Sequence, residues 1–255
     1  MVGGDVFRLL GGAAEPGVSG RRLSDAAYGR RLAWAFLAVW VALAIAPADR
    51  ADWAAENLLV GGLAAAIYAT RTSVPLSKAS STMLFAFLCL HEVGAHYTYP
   101  GVPYDAWAQA ITGSSLSDAF GLERNHFDRL AHLAFGLLLT QPMREVLMRT
   151  SPLRGRWTYW LAVAISMAAS AGYEIAEWWV AALFGGELGA AFLGAQGDVW
   201  DAQKDMGLAG LGAMLAMTVA TNLEHARGRR RVPPAAARAP HARSLTTSYT
   251  SSRKF

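Results

Sequence analysis

Four short stretches concentrate the groups that can ligate a metal or move a proton. They are HEVGAH at 91–96, NHFDRLAH at 125–132, YEIAEWW at 173–179 and GDVWDAQKDM at 197–206. Four of the chain's six histidines lie in them: His91, His96, His126 and His132. A helix turns by about 100° per residue, so residues four apart differ by about 40° and residues three apart by about 60°. Glu92 and His96 therefore share a face, as do Asp128 and His132, and Glu174 and Glu177. Asp198, Asp201 and Asp205 also share one if their helix begins early enough. Neutral imidazole with carboxylate oxygen suits zinc, iron or manganese. Helical bundles that hold two metals use inward Glu and His at such spacings.

The expected ligand pool is His91, His96, His126, Asp128, His132, Glu177, Asp198, Asp201 and Asp205. Glu92 or Glu174 is the expected general base, its proton affinity raised by burial. Lys204 or Arg129 would hold an anionic substrate group, and Asn125, Gln196 and Gln203 would complete the substrate contacts. HEVGAH is one residue too long for the peptidase pattern H-E-x-x-H, which puts His91 and His96 about 140° apart. Glu92 with His96 is the better pair, leaving His91 to support the site or pack.

Simpler roles compete at each stretch. Asn125 is a good N-cap, with Asp128 three residues on, but a cap does not account for His132 a turn deeper. Trp178 and Trp179 fit an interfacial aromatic belt, but Glu174 lies inside it. Acids at a helix start are favoured by its dipole by about 0.3–1 kcal/mol each, which covers Asp198 and Asp201 but not Asp205. Glu145, with Arg144 and Arg149, reads as a local pair in an interfacial patch. Gly207, Gly210 and Gly212 read as small residues for close helix packing.

These residues need elements to hold them, and the composition says which. Charged residues make up 16% of the chain and hydrophobic ones 53%, against about 25% charged in soluble proteins. A spanning helix needs about 20 mostly apolar residues. Six segments qualify, at 31–47, 53–70, 76–97, 128–148, 157–184 and 204–222, the second being short and Gly/Ala-rich. The expected fold is an all-α polytopic membrane bundle of about six transmembrane helices. Lys and Arg mark the cytoplasmic side. Nineteen of the 23 fall in the N-tail, the 2–3 and 4–5 connections and the C-tail, whereas 14 of the 19 acids fall on or near the other face. Both termini are thus expected to be cytoplasmic, with the four polar stretches together at the non-cytoplasmic face. Residues 1–30 are expected to form a mobile tail, 31–222 the membrane domain and 223–255 a disordered basic tail. One cysteine, Cys89, excludes an intrachain disulfide and a cysteine-based zinc site.

HEVGAHYTY, NHFDRLAHLAFG, YEIAEW and FLGAQGDVWDAQKDM, in this order between about 51 and 222, resemble the YjdF-like family of bacterial inner-membrane proteins. The resemblance implies a multi-span bundle in the cytoplasmic membrane. It supplies no reaction, so function rests on the chemistry of the residues.

Ionisable groups within spans cost about 2.5–3.5 kcal/mol each, and clustered carboxylates repel unless protonated or neutralised. A divalent metal is the economical counter-ion. The leading expectation is a metal-dependent membrane enzyme, hydrolytic first and di-iron redox as a variant, acting on a small molecule or lipid. An ion- or proton-coupled transporter and a non-catalytic scaffold are the alternatives. The bilayer is the expected surrounding. Nucleic acid is not an expected partner, because no folded basic face accompanies the C-terminal arginines.

Overall fold

The computed structural model describes residues 16–184 and 196–231, with side chains over 25–183 and 196–226. Among the described residues the chain is all-helical, with no strand: α1 Pro16–Leu43, α2 Arg50–Thr70, α3 Lys78–Tyr97, α4 Tyr104–Thr112, α5 Leu116–Phe120, α6 Phe127–Thr150, α7 Trp157–Phe184 and α8 Asp201–Arg231. The chain divides into two units, Met1–Ala220 and Thr221–Phe255. The described part of the second is the last turns of α8.

Within the first unit α3 packs on α1, α2 and α6, and α6 also packs on α7. Ala162 and Val163 of α7 form a small apolar core with Ala213, Ala216 and Met217 of α8. Helices α6 and α8 meet backbone to backbone. A Cβ on Gly136 would lie 2.7 Å from the Ala213 nitrogen, and one on Gly212 would lie 2.8 Å from the Leu137 nitrogen. Of the three glycines expected to allow close packing, Gly212 does so. Gly210 faces the flexible Met167 side chain, and Gly207 faces open space.

Several polar side chains lie inside and many large apolar ones lie on the surface. Glu92, Thr140, Thr158 and Asp205 are among the largest fully buried side chains, whereas Trp34, Leu58, Ile111 and Leu183 are more than two-thirds exposed. A soluble domain rarely shows so much apolar surface. Among the described residues one segment, Asp201–Ala226 of α8, combines spanning length with a mean hydropathy of 1.5.

Several boundaries differ from expectation. Helix α1 starts at Pro16, so the latter half of the expected N-tail is helical; residues 1–15 lie outside the described residues. Helix α8 continues to Arg231, because Leu, Glu, Ala and Arg sustain a helix beyond the apolar run. The expected C-tail beyond Arg231 lies outside the described residues. Helices α4 and α5 were not expected. Ser115 caps α5 through the Asp118 N–H, and both helices end on left-handed glycines, Gly113 (φ 81°) and Gly121 (φ 63°). These are the start and stop chemistries of short helices.

The end of the bundle away from the site also differs from a dry apolar packing. Glu145 is buried and accepts from the Ser77 N–H (2.8 Å), the Ser77 hydroxyl (2.7 Å), the Ser80 hydroxyl (2.5 Å) and Arg149 (2.6 Å). It is therefore not merely a local partner of Arg149. It fixes the start of α3, where Ser77 also caps the Ser80 N–H. Arg144 is buried with it, donating to Thr158 at 3.0 Å and lying 3.7 Å over the Tyr159 ring.

Candidate functional site: a His and carboxylate centre between α6, α7 and α8

The centre is built where α6 and α8 begin. Asn125 precedes α6, accepts from the Phe127 N–H at 2.9 Å and donates to the Val102 carbonyl at 2.9 Å. Opposite it, Gln196 bonds both backbone groups of Asn125, at 3.1 and 3.0 Å. Gln196 (φ 45°) and Gly197 (φ 86°) are left-handed, so the chain reverses there and enters α8 beside α6. Asn125 and Gln196 are thus spent on backbone, and Gln203 is exposed on α8. The expected substrate role for these three has no support in their contacts.

One helical turn inside, Asp128 and His132 of α6 and Asp205 of α8 bring ligand atoms within 4.8 Å of one another. His132 Nε2 lies 3.6 Å from Asp128 Oδ1 and 3.4 Å from Glu174 Oε1 of α7. Its other ring nitrogen lies 3.5 Å from the buried Ser170 hydroxyl. Asp205 is 2% exposed, and its Oδ1 has no hydrogen-bond partner. Burying such an oxygen unpaired is costly. Glu177 neighbours Glu174 on the same face of α7 and also interacts with Tyr173.

Basic side chains close the outer end. Arg124 pairs with Asp201 at 2.5 Å, and Lys204 with Asp198 at 2.6 Å. Arg129 pairs with Asp198 and reaches Asp201 at 3.4 Å. Asp198 sits in the turn before α8, not on its face, and also accepts from the Trp200 N–H. The Lys204 ammonium, that N–H and Arg129 hold its carboxyl down at about 2. Asp198 and Asp201 are therefore neutralised by cations rather than directed at a metal, and Lys204 gives one of its N–H groups to Asp198. His126, at the N-cap of α6, is held below the usual histidine range by burial and by Arg129 and Arg124. It lies with the cations and not in the ligand cluster.

A second buried cluster adjoins the first through Tyr173, whose ring lies 5.9 Å from that of His132. The Tyr173 hydroxyl donates to both oxygens of Glu56 of α2, at 3.1 and 3.0 Å. Glu56 lies 4.0 Å from His91 Nε2, and His91 Nδ1 bonds the Tyr99 hydroxyl at 2.6 Å. The motif HEVGAHYTY has a local explanation here. Thr98 and Tyr99 adopt positive φ (59° and 41°), folding the chain back so that the Tyr99 ring lies on α3. A Cβ on Gly94 would come within 2.6 Å of that ring. Glycine at 94 is what lets Tyr99 reach His91.

The pairing of Glu92 with His96 is corrected. His96 Nδ1 bonds the Leu43 carbonyl at 2.8 Å and belongs to the contact with α1. Glu92 is fully buried, and neither oxygen completes a hydrogen bond. Its neighbour Asn57 is committed to Trp53 and Trp40. His91, not His96, joins the polar interior. Glu56, Tyr99, Tyr173, Ser170 and Arg124 were missed. Asp52 and Glu56, both buried, stand four apart at the start of the second apolar run, the spacing used for the other helices. That signal was available.

An open groove of about 670 Å³ runs down α6 and α8 from the cations, lined by His126, Arg129, Lys204, Gly207 and four leucines.

The sequence model of the DUF2238 family, described as a predicted membrane protein, matches residues 28–225. The chain belongs to that family. It is 37% identical over 167 residues to the inner membrane protein YjdF of Escherichia coli (strain K12), covering 65% of this chain and 76% of the relative. No solved structure matches. The protein is a bacterial inner-membrane protein.

Proposed function

We propose that this member of the DUF2238 family is a multi-pass membrane enzyme that binds a divalent metal between α6, α7 and α8 and acts hydrolytically at the non-cytoplasmic face. The proposal takes the six long helices as spans with both termini cytoplasmic, supported by the distribution of Lys and Arg. The observation that carries it is the group Asp128, His132 and Asp205, whose ligand atoms lie within 4.8 Å of one another and in which Asp205 is buried with one oxygen unpaired. Two ligands on one tetrahedral zinc at about 2.0–2.1 Å lie about 3.3 Å apart. The 3.6 Å between His132 Nε2 and Asp128 Oδ1 needs little adjustment to reach that, and the Asp205 carboxylate lies within 4.8 Å of both. Ser170 behind the other nitrogen orients the ring, as supporting groups of metal-bound imidazoles do.

In this reading Asp128, His132 and Asp205 hold the metal, zinc, iron or manganese. When bound, the metal lowers the proton affinity of its water and polarises a substrate oxygen. Glu174, 3.4 Å from His132, is the carboxylate that would accept a proton there. Glu92 is on the α2 side and is not the base.

The test is elemental analysis of full-length protein purified without chelator. About one metal per chain is expected, with large losses in His132→Ala and Asp205→Asn and retention in His96→Ala. Metal-free wild type that keeps its fold and accepts no added zinc, iron or manganese would sink the proposal.

A second reading is favoured by one observation, the buried series Tyr99, His91, Glu56 and Tyr173. Such series serve proton-coupled carriers. Proton flux in vesicles that Glu56→Gln abolishes would favour it over the enzyme.

A further inference from the structure

The groove beside the centre has two chemically distinct parts. At its mouth are Arg129, Lys204 and His126; its walls are Leu130 and Leu133 of α6, and Gly207, Leu208 and Leu211 of α8. Leu130 is 50% exposed and Leu211 is 43% exposed, so the wall continues onto the lipid-facing surface. Arg129 and Lys204 both pair with Asp198 at this end, and Arg129 also reaches Asp201. The pairs leave donors available. Lys204 has three N–H groups and is about half exposed, and Asp198 takes one of them. Below the cations, a Cβ on Gly207 would meet nothing within 4 Å. The floor of the groove is therefore open for an acyl chain.

We infer that this groove binds a membrane lipid with an anionic phosphate headgroup, the phosphate at Lys204 and Arg129 and one acyl chain along Leu130, Leu133, Leu208 and Leu211. Two features favour a lipid over a soluble phosphate. The apolar wall starts directly beneath the cations, and the groove is open on the side where this membrane protein meets acyl chains. The site names the substrate class of the proposed enzyme and rests on that reading for its catalytic meaning: a headgroup held at Arg129 lies on the helix that carries Asp128 and His132.

The experiment uses full-length protein in a neutral detergent. Binding of phosphatidylglycerol, of phosphatidylcholine with the same acyl chains, and of inorganic phosphate is measured by native mass spectrometry with competition. Metal content is measured on the same samples. The phosphatidylglycerol preference over phosphatidylcholine should be at least about fivefold, roughly what one lysine or arginine contributes near a charged headgroup. Lys204→Gln should reduce that preference by about fivefold while leaving phosphatidylcholine binding in place. Gly207→Leu sets its Cβ in open space and extends a side chain into the groove, and should lower binding of both lipids at unchanged metal content. Equal binding of the two lipids by wild type would overturn the inference. So would full lipid binding by Gly207→Leu, or inorganic phosphate competing as well as the lipid. Failure of the metal proposal is read separately: metal-free protein that still shows the groove-dependent lipid preference supports the lipid site and removes only the metal.

Discussion

Gly212 and Gly207 stand five residues apart on α8, and the same substitution should act on them with opposite sign. A methyl group on Gly212 would lie 2.8 Å from the Leu137 nitrogen, 3.2 Å from the Gly136 carbonyl carbon, and nearer still to the Leu133 carbonyl oxygen. All three are backbone of α6 and cannot rotate aside, so the helices must separate. Overpacking of this kind costs about 1–3 kcal/mol, and contact with backbone argues for the upper end. Alanine recovers about 1 kcal/mol of helix propensity over glycine. Gly212→Ala should therefore lose about 2 kcal/mol. Gly207→Ala meets nothing within 4 Å and should gain up to about 1 kcal/mol. At about 2–4 °C per kcal/mol for a chain of this size, the two variants should differ in Tm by about 6–12 °C. Thermal unfolding of both in one detergent, followed by tryptophan fluorescence, measures the difference. The same contact holds Asp128 and His132 of α6 against Asp205 of α8, so Gly212→Ala should also weaken metal binding, and Gly207→Ala should not. If Gly212→Ala is as stable as Gly207→Ala, the helices do not touch as described and the geometry of the centre falls with them.

Three further outcomes are expected. Glu145→Ala leaves the fully buried Ser80 hydroxyl and the Ser77 N–H without their acceptor, and should lower stability by about 3–5 kcal/mol in a denaturation series. Glu145→Gln keeps the volume and one acceptor and should lose less than half of that. Asp198 has a carboxyl held down to about 2, below its unfolded value, so its contribution is complete above about pH 4 and disappears as pH falls through 2. Plots of Tm against pH for wild type and Asp198→Asn should thus run parallel between pH 4 and 7 and converge below; convergence already at pH 5–6 would contradict the ion pairs drawn here. Gly94→Ala should drive the Tyr99 ring off His91, seen as a changed tyrosine environment in near-ultraviolet circular dichroism, while Gly61→Ala, whose Cβ meets nothing within 4 Å, leaves the spectrum unchanged.

Much of this protein was legible before it was folded. Long apolar runs need helices in lipid, because no other open-ended structure satisfies its backbone there. The i, i+4 rule paired Asp128 with His132, and in the structure the two side chains lie 3.6 Å apart. The same rule applied to Glu92 and His96 gave a pair that the fold separates, His96 turning to the carbonyl of Leu43. Helical phase fixes which residues share a stripe but not what the stripe faces; the neighbouring helix decides that.

What the sequence determined by itself was the six long helices, without α4 and α5, the charge asymmetry along them and the pool of groups able to bind a cation. Only the tertiary structure divided that pool. Asp198 and Asp201 went to Arg124, Arg129 and Lys204, whereas Asp205, a turn further along the same helix, was left buried with an unpaired oxygen beside His132. The difference is one of distance between segments. Arg124 and Asp201 are 77 residues apart and their pairing depends on where α6 meets α8. That meeting point is set by two glycines, Gly136 and Gly212, whose lack of a side chain signals helix packing in the sequence but not the partner it selects.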